Sequence, residues 1–150
     1  MVGSITNVFE TMLSIDLTQV AGPYEPVDGQ GEMVIGSVGF AGTTKGAVYI
    51  HFQDEFATVV AGTMLGMEPD EFGVEEVDDV IGELSNMVGG NIKSSLCDSG
   101  MTCSLSVPSV TRGPEVVINP REVIDGVVKE CVFKSGQHSV RLVVALMPGE

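Results

Sequence analysis

Residues 74–96 read VEEVDDVIGELSNMVGGNIKSSL, and this pattern of apolar and polar residues predicts one long α-helix. Apolar residues recur at steps of three and four, which places them on one buried face: Val77, Val80, Ile81, Leu84, Val88 and Ile92. A polar face follows steps of four, three and four residues: Asp79, Glu83, Asn86 and Gly90. At about 100° of rotation per residue, this second face should point away from the core.

Helix stability alone does not explain the polar face. Glu83 is too far from the helix start to gain much from the helix dipole, and it lies four residues after the like-charged Asp79. Gly89 and Gly90 together cost about 2 kcal/mol relative to alanine. Close approach of another molecule would account for Glu83 and for both glycines. An ordinary solvated face, with the glycines packed against a strand, accounts for them equally well.

The composition of the 150-residue chain indicates one compact domain, residues 1–150. Its apolar fraction of 43% is enough for a core, and its net charge of −14 disfavours nucleic acid and anionic membranes as partners. No apolar run approaches the roughly 20 residues of a membrane span. The first residues lack the pattern of a secretory signal, and the three cysteines are irregularly spaced. We therefore expect a cytoplasmic protein.

The segments outside the long helix predict an α+β domain. We predict helices at residues 5–20 and 54–65, and strands at residues 32–40 and 46–52 joined by the loop AGTTK. Extended segments are predicted at residues 101–107, 115–119, 126–134 and 139–147, with a hairpin around Ser135-Gly136-Gln137. This order indicates a largely antiparallel β-sheet with long helices packed on it.

No common catalytic or cofactor motif accompanies the polar face. G-x-G-x-x-G, the phosphate-binding G-x-x-x-x-G-K-[ST] and G-x-S-x-G are all absent, and His51 and His138 lack neighbouring metal ligands. The amide of Asn86, however, donates and accepts hydrogen bonds at once and could orient a water molecule. Phosphoryl transfer depends mainly on such positioning and on electrostatics. Glu83 could meanwhile pair with a lysine of a partner.

Asp79, Glu83 and Asn86 form D-x-x-x-E-x-x-N, and Pro108 follows about twenty residues later in SLSVPSV. Together with the helix sequence IGELSNMVGGNIKSSL, this pattern resembles the signature of the CheC/CheX/FliY chemotaxis phosphatases. The motif occurs once, which is similar to the CheX type. The resemblance implies a CheC-like fold and hydrolysis of the aspartyl phosphate of a CheY-type response regulator.

The resemblance also implies a role for each residue of the motif. Asn86 would place the attacking water in the regulator's site, and Glu83 would pair with a lysine of the regulator. The supporting residues of the motif would be Asp79, Gly89, Gly90 and Pro108. The chain would need no cofactor or metal of its own, since Mg²⁺ would belong to the phosphorylated regulator. A homodimer with one site per subunit is implied as well.

Two other classes of function remain open from the sequence. The chain could be a non-catalytic CheC-like interaction module that binds a receiver domain or a flagellar-switch protein. It could also be a small-molecule-binding domain, although no pocket motif supports this.

Overall fold

The computed structural model describes residues 10, 18–20, 32–98, 100, 102–114, 127–135 and 138–148. The strands of these residues are β1 (Thr18–Val20), β2 (Glu32–Gly42), β3 (Thr44–Gln53), β4 (Cys103–Leu105), β5 (Ser109–Pro114), β6 (Val127–Ser135) and β7 (His138–Pro148). The α-helices are α1 (Asp54–Leu65) and α2 (Val74–Asp98), with a 3-10 turn at Pro69–Glu71 between them. This architecture confirms the predicted α+β class.

The described strands form one antiparallel sheet in the order β1-β6-β7-β3-β2-β4, with β5 also paired to β2. β4 and β5 share one edge of β2, because β4 pairs with residues 40–42 and β5 with residues 32–37. The segment between them is attached to β2 by Ser106. Its backbone N–H donates to the Gly39 carbonyl at 2.9 Å, and its hydroxyl accepts from the Gly39 N–H at 2.8 Å.

The apolar core lies between one face of the sheet and the two helices. Alternate residues of β3 and β7 supply the sheet side, as expected for strands with a period of two: Val48, Ile50, Phe52, Val140, Leu142 and Val144. All six apolar residues predicted for the buried face of α2 are buried. The polar face of the same helix is thereby turned away from the sheet.

Helix α1 has the predicted bounds, but its buried face is narrower than predicted. The helix ends at Gly66, whose φ of 66° is left-handed and whose N–H donates to the Gly62 carbonyl. Its buried residues are Phe56, Ala57, Val60 and Ala61. The sequence pattern predicts a buried face made of Phe56, Val59, Val60, Met64 and Leu65. This prediction is wrong for Val59 and Leu65, which are 42% and 40% exposed, because they flank the buried stripe on opposite sides.

Two hairpins have the predicted connections. The β2–β3 ladder ends at the pair Phe40 and Gly46, which leaves AGTTK as the connecting segment. The β6–β7 ladder ends at the pair Ser135 and His138. In both cases, two strand patterns separated by a short connecting segment were enough to predict the hairpin.

The predictions for the remaining segments need correction or lie outside the described residues. The helix predicted at residues 5–20 is wrong at its end, because Thr18–Val20 is a strand paired with β6. The rest of that predicted helix, apart from Glu10, lies outside the described residues. The strand predicted at residues 115–119 also lies outside them. The sequence pattern does not predict β5, because Gly113-Pro114 is typical of a turn. Pro114 instead closes an edge strand, where its missing N–H is tolerated. β4 is shorter than the predicted segment at residues 101–107.

None of the described helices is both long and apolar enough to cross a membrane.

Candidate functional site

The polar face of α2 is accessible over its whole length. Asp79 and Glu83 are exposed, and Asn86 and Gly90 are half-buried. Among the residues that the structure describes, neither the Glu83 carboxylate nor the Asn86 amide has a hydrogen-bond or ion-pair partner. A carboxylate and an amide are thus presented three residues apart, with their polar atoms available to another molecule.

The start of α2 is fixed by a cap that the sequence supplies locally. The Gly73 N–H donates to Glu76 Oε2 at 2.9 Å, and the Gly73 carbonyl accepts from the Val77 N–H at 3.2 Å. The Glu76 side chain therefore reaches back over the first turn, as in the second half of a capping box. Glu76 consequently has a local structural role that Glu83 lacks.

The middle of α2 lies very close to β2 because Gly36 has no side chain. A Cβ on Gly36 would clash with Ser85 Oγ and would lie 3.0 Å from the Ile81 side chain. Ser85 is buried, and its hydroxyl donates to the Ile81 carbonyl at 2.8 Å. This close packing sets the height of the helix above the sheet, and hence the position of Glu83 and Asn86.

The two adjacent glycines of the motif have different surroundings. A Cβ on Gly89 would lie 3.2 Å from Val38 Cγ1 and 3.6 Å from the Leu105 side chain, whereas a Cβ on Gly90 would meet no atom within 4 Å. Packing against β2 and β4 therefore explains Gly89, which is buried and does not belong to the approachable surface. Only Gly90 remains without an explanation inside the described fold.

Pro108 lies in the short connection between β4 and β5, alongside α2. This connection joins Leu105, which faces Gly89, to Val110, whose side chain would lie 3.7 Å from a Cβ on Gly82. Pro108 itself is half-buried, and the preceding Val107 is 86% exposed. The loop thus borders the helix between Gly82 and Gly89, the stretch that contains Asn86.

A groove runs along the other side of the polar face, between α1 and α2. Its volume is about 200 Å³. It is lined by Met64 and Leu65 of α1 and by Glu76, Asp79, Val80 and Glu83 of α2, and we call it the α1–α2 groove. The helical period predicts that Asp79 and Glu83 share one face, but no pattern in the sequence indicates that residues of α1 adjoin them.

Arg112, which no sequence pattern singles out, connects β5 to both helices. Its Nη1 lies 2.5 Å from Asp54 Oδ1, and its Nη2 lies 2.7 Å from Asp78 Oδ1. The Arg112 side chain is only 15% exposed, so these ion pairs are partly shielded from water. Arg112 therefore ties the beginning of α2 to the sheet edge and to the beginning of α1.

The opposite face of the sheet contains a second polar group that does not adjoin the motif. Arg141 is buried, with Nη2 at 2.7 Å from Glu130 Oε2 and Nη1 at 3.4 Å from Nε2 of the buried His51. His51 lies on β3, in agreement with the strand predicted at residues 46–52, and His138 begins β7, one residue before the strand predicted at residues 139–147. Within the described part of the chain, no group of three or more His, Cys, Asp and Glu side chains could hold a metal ion.

The Asn86 amide and the Glu83 carboxylate are suited to act together on a bound partner. The amide can accept a hydrogen bond from a water molecule while donating another to an anionic oxygen. The carboxylate can form a charge-assisted hydrogen bond with an ammonium group. Both groups lie on a helix surface, so a partner could reach them without entering a deep cavity.

Comparison with known proteins gives one family and a consistent set of structures. The family model of CheX, described as chemotaxis phosphatase CheX, matches residues 34–131. The structure of the chemotaxis protein CheX from Vibrio vulnificus is 30% identical, with a TM-score of 0.80 over 97% of this chain and 92% of that chain. The CheX structure from Desulfovibrio desulfuricans is 28% identical, with a TM-score of 0.77 over 97% and 95% of the respective chains.

A more distant structure shares the fold. It is the CheX–CheY–BeF₃–Mg²⁺ complex from Borrelia burgdorferi. Its matching chain is 21% identical to this chain, and the TM-score is 0.74 over 97% of this chain and 94% of that chain. A search of curated proteins gave no significant match.

Proposed function

Because the chain belongs to the CheX family of chemotaxis phosphatases, we propose that it hydrolyses the aspartyl phosphate of a CheY-type response regulator. The observation that carries this proposal is the pair Glu83 and Asn86, accessible on one helix face and free of partners among the described residues. The Borrelia burgdorferi relative, solved in complex with CheY, BeF₃ and Mg²⁺, supports a receiver domain as the partner.

Asn86 is the residue that we assign to the attacking water. Its amide enters the regulator's site and holds one water in line with the phosphorus atom. The water oxygen bonds to phosphorus while the bond from phosphorus to the aspartyl oxygen breaks. The products are inorganic phosphate and the aspartate carboxylate, and the water's proton leaves with the phosphate or passes to solvent. The amide contributes position and not proton transfer, since it is neither a base nor a nucleophile.

Glu83 is the residue that we assign to anchoring the helix. Its carboxylate pairs with a lysine ammonium of the regulator, three residues along α2 from Asn86, and so fixes the depth to which the amide enters. The Mg²⁺ belongs to the regulator, where it neutralises charge on the phosphoryl oxygens. We place the reaction in the cytoplasm and expect the phosphatase to be a homodimer.

Phosphate release from a phosphorylated receiver tests the proposal directly. Candidate receivers are phosphorylated with acetyl phosphate, freed of excess reagent, and followed with and without the protein. We expect the wild-type protein to accelerate phosphate release, and Asn86→Ala to lower kcat about 100-fold because the water loses its positioning group. Asn91→Ala, the same change on the same helix but outside the polar face, is the matched control.

Equal decay with and without the protein, across all receivers of the organism, would overturn the enzymatic function. Receiver binding without accelerated decay would instead support a non-catalytic CheC-like interaction module. If Asn86→Ala and Asn91→Ala were both as fast as wild type, the role assigned to Asn86 would be wrong even for an active enzyme.

A further inference from the structure

We propose that the α1–α2 groove receives an apolar side chain and an adjacent lysine or arginine of the response regulator, and so contributes to the choice of regulator. This inference rests on the proposed function. It adds a second contact region to the polar face of α2, on the side towards α1. The occupant is a basic, apolar surface segment of the same receiver that Asn86 enters.

The floor of the groove is an apolar surface that is only partly covered by the chain itself. Val80 is 7% exposed and belongs to the core, whereas Leu65 remains 40% exposed at the end of α1. Met64 packs against the core between them. Covering Leu65 with a partner's apolar side chain would remove apolar area from water, which favours association.

The rim of the groove carries negative charge that no basic side chain among its lining residues balances. Glu76, Asp79 and Glu83 are all exposed, and none of the six lining residues is basic. Arg112 does not neutralise this rim, because its guanidinium is paired with Asp54 and Asp78. Charge complementarity therefore favours a lysine or arginine beside the apolar side chain that enters the groove.

The groove is continuous with the face that carries the proposed catalytic pair, since Glu83 lines both. Glu76 lies seven residues before Glu83, about two helical turns away, so it does not reach a phosphoryl group positioned at Asn86. A contact in the groove should consequently change how tightly the regulator binds, and should leave the rate of the chemical step unchanged.

Four substitutions separate the groove from the rest of the surface. Leu65→Ser and Glu76→Gln alter the groove, and the glutamine keeps an oxygen that can accept from the Gly73 N–H. Val59→Ser and Glu75→Gln are the matched controls, because both residues are exposed on the same helices outside the groove. Circular dichroism melting checks that each variant is folded, and Leu65→Ala replaces Leu65→Ser if the serine variant is not.

The readouts are KM and kcat for phosphate release, and Kd for the receiver held in its active form by BeF₃⁻ and Mg²⁺. We expect Leu65→Ser to raise KM and Kd about 5-fold. Glu76→Gln should raise both about 2- to 5-fold. The value of kcat should stay within about 2-fold of wild type, and both controls should match wild type.

Groove variants that match their controls would overturn the groove proposal while leaving the phosphatase function in place. A fall in kcat at constant KM would also overturn it, because the groove would then act on the catalytic geometry. If the wild-type protein binds the receiver without releasing phosphate, the phosphatase proposal fails, and the Kd ratios alone decide whether the groove is used.

Discussion

At the scale of single residues, Glu83 differs from Glu76 and Asp78 of the same helix because the described fold gives it no internal contact. Glu76 caps the start of α2 at Gly73, and Asp78 pairs with Arg112. Glu83 is exposed and makes no such contact among the described residues. An exposed carboxylate without an internal contact is available to an external partner, as the proposed function requires of Glu83.

Reversing the charge of Glu83 should therefore weaken receiver binding. We expect Glu83→Lys to raise the Kd for the receiver activated by BeF₃⁻ more than 10-fold, because an attractive pair with a lysine becomes a repulsive one. Glu75→Lys makes the same change in net charge on the first turn of the same helix and should raise Kd far less. Isothermal titration calorimetry measures both, and equal Kd values for the two variants would contradict the lysine pairing.

Gly90 provides a second prediction at this scale, because the structure leaves room for a side chain there. Gly90→Ala should raise the free energy of unfolding by about 1 kcal/mol, since the added Cβ meets nothing within 4 Å and the helix loses a glycine. Gly90→Leu should also be well folded but should raise KM, because the leucine occupies space that the regulator needs.

Denaturant titration and phosphate release measure these two effects separately. Gly89→Ala is the contrasting variant, because its Cβ would lie only 3.2 Å from Val38 Cγ1. This close contact should offset the gain in helix propensity, so the free energy of unfolding should rise less than for Gly90→Ala. A Gly90→Leu variant with the KM of wild type would show that no partner approaches this part of α2.

At the scale of elements, α2 is held at three places along its length. Arg112 ties its first turns to β5, Ser85 packs over Gly36 of β2, and Gly89 lies against β2 and β4. The contacts lie on the buried side of the helix, so the opposite side stays available to a partner. The close contacts at Gly36 and Gly89 allow little movement of the helix perpendicular to the sheet.

Removing the Arg112 ion pairs should loosen the first of these attachments. We expect Arg112→Met to lower the free energy of unfolding by about 1 kcal/mol. The effect is modest because the Asp54 and Asp78 side chains are 43% and 34% exposed and regain water when the arginine is lost. Lys45→Met, which removes an exposed cation of β3, is the control for net charge. If urea titrations show the two variants to be equally stable, the bridging role of Arg112 is contradicted.

The same elements show why part of the structure could be predicted and part could not. The helices were predicted because a period of 3.6 residues and Gly66 are visible within a short window of sequence. Arg112 pairs with residues 34 and 58 positions away, and no local pattern specifies such partners. The α1–α2 groove was missed for the same reason, since Leu65 and Glu83 meet only through the packing of two helices.

At the scale of the whole molecule, both residues of the proposed catalytic pair belong to one helix of one chain. Glu83 and Asn86 lie three residues apart on one helix, so every chain contains both members of the pair. A second subunit is then unnecessary for assembling the catalytic pair, whatever its role in stability. A homodimer should consequently present two equivalent and independent sites.

We therefore expect one receiver to bind per chain. Light scattering on the complex with the receiver activated by BeF₃⁻ should give a dimer of the phosphatase with two receivers bound. The rate of phosphate release per chain should stay constant when dilution separates the dimer, because neither Glu83 nor Asn86 is contributed by the other subunit. One receiver per two chains, or a rate per chain that falls on dissociation, would show that the partner subunit completes or blocks the site. The polar face of α2 would then not be sufficient for catalysis, and residues of the second subunit would have to be added to Glu83 and Asn86 in the catalytic site.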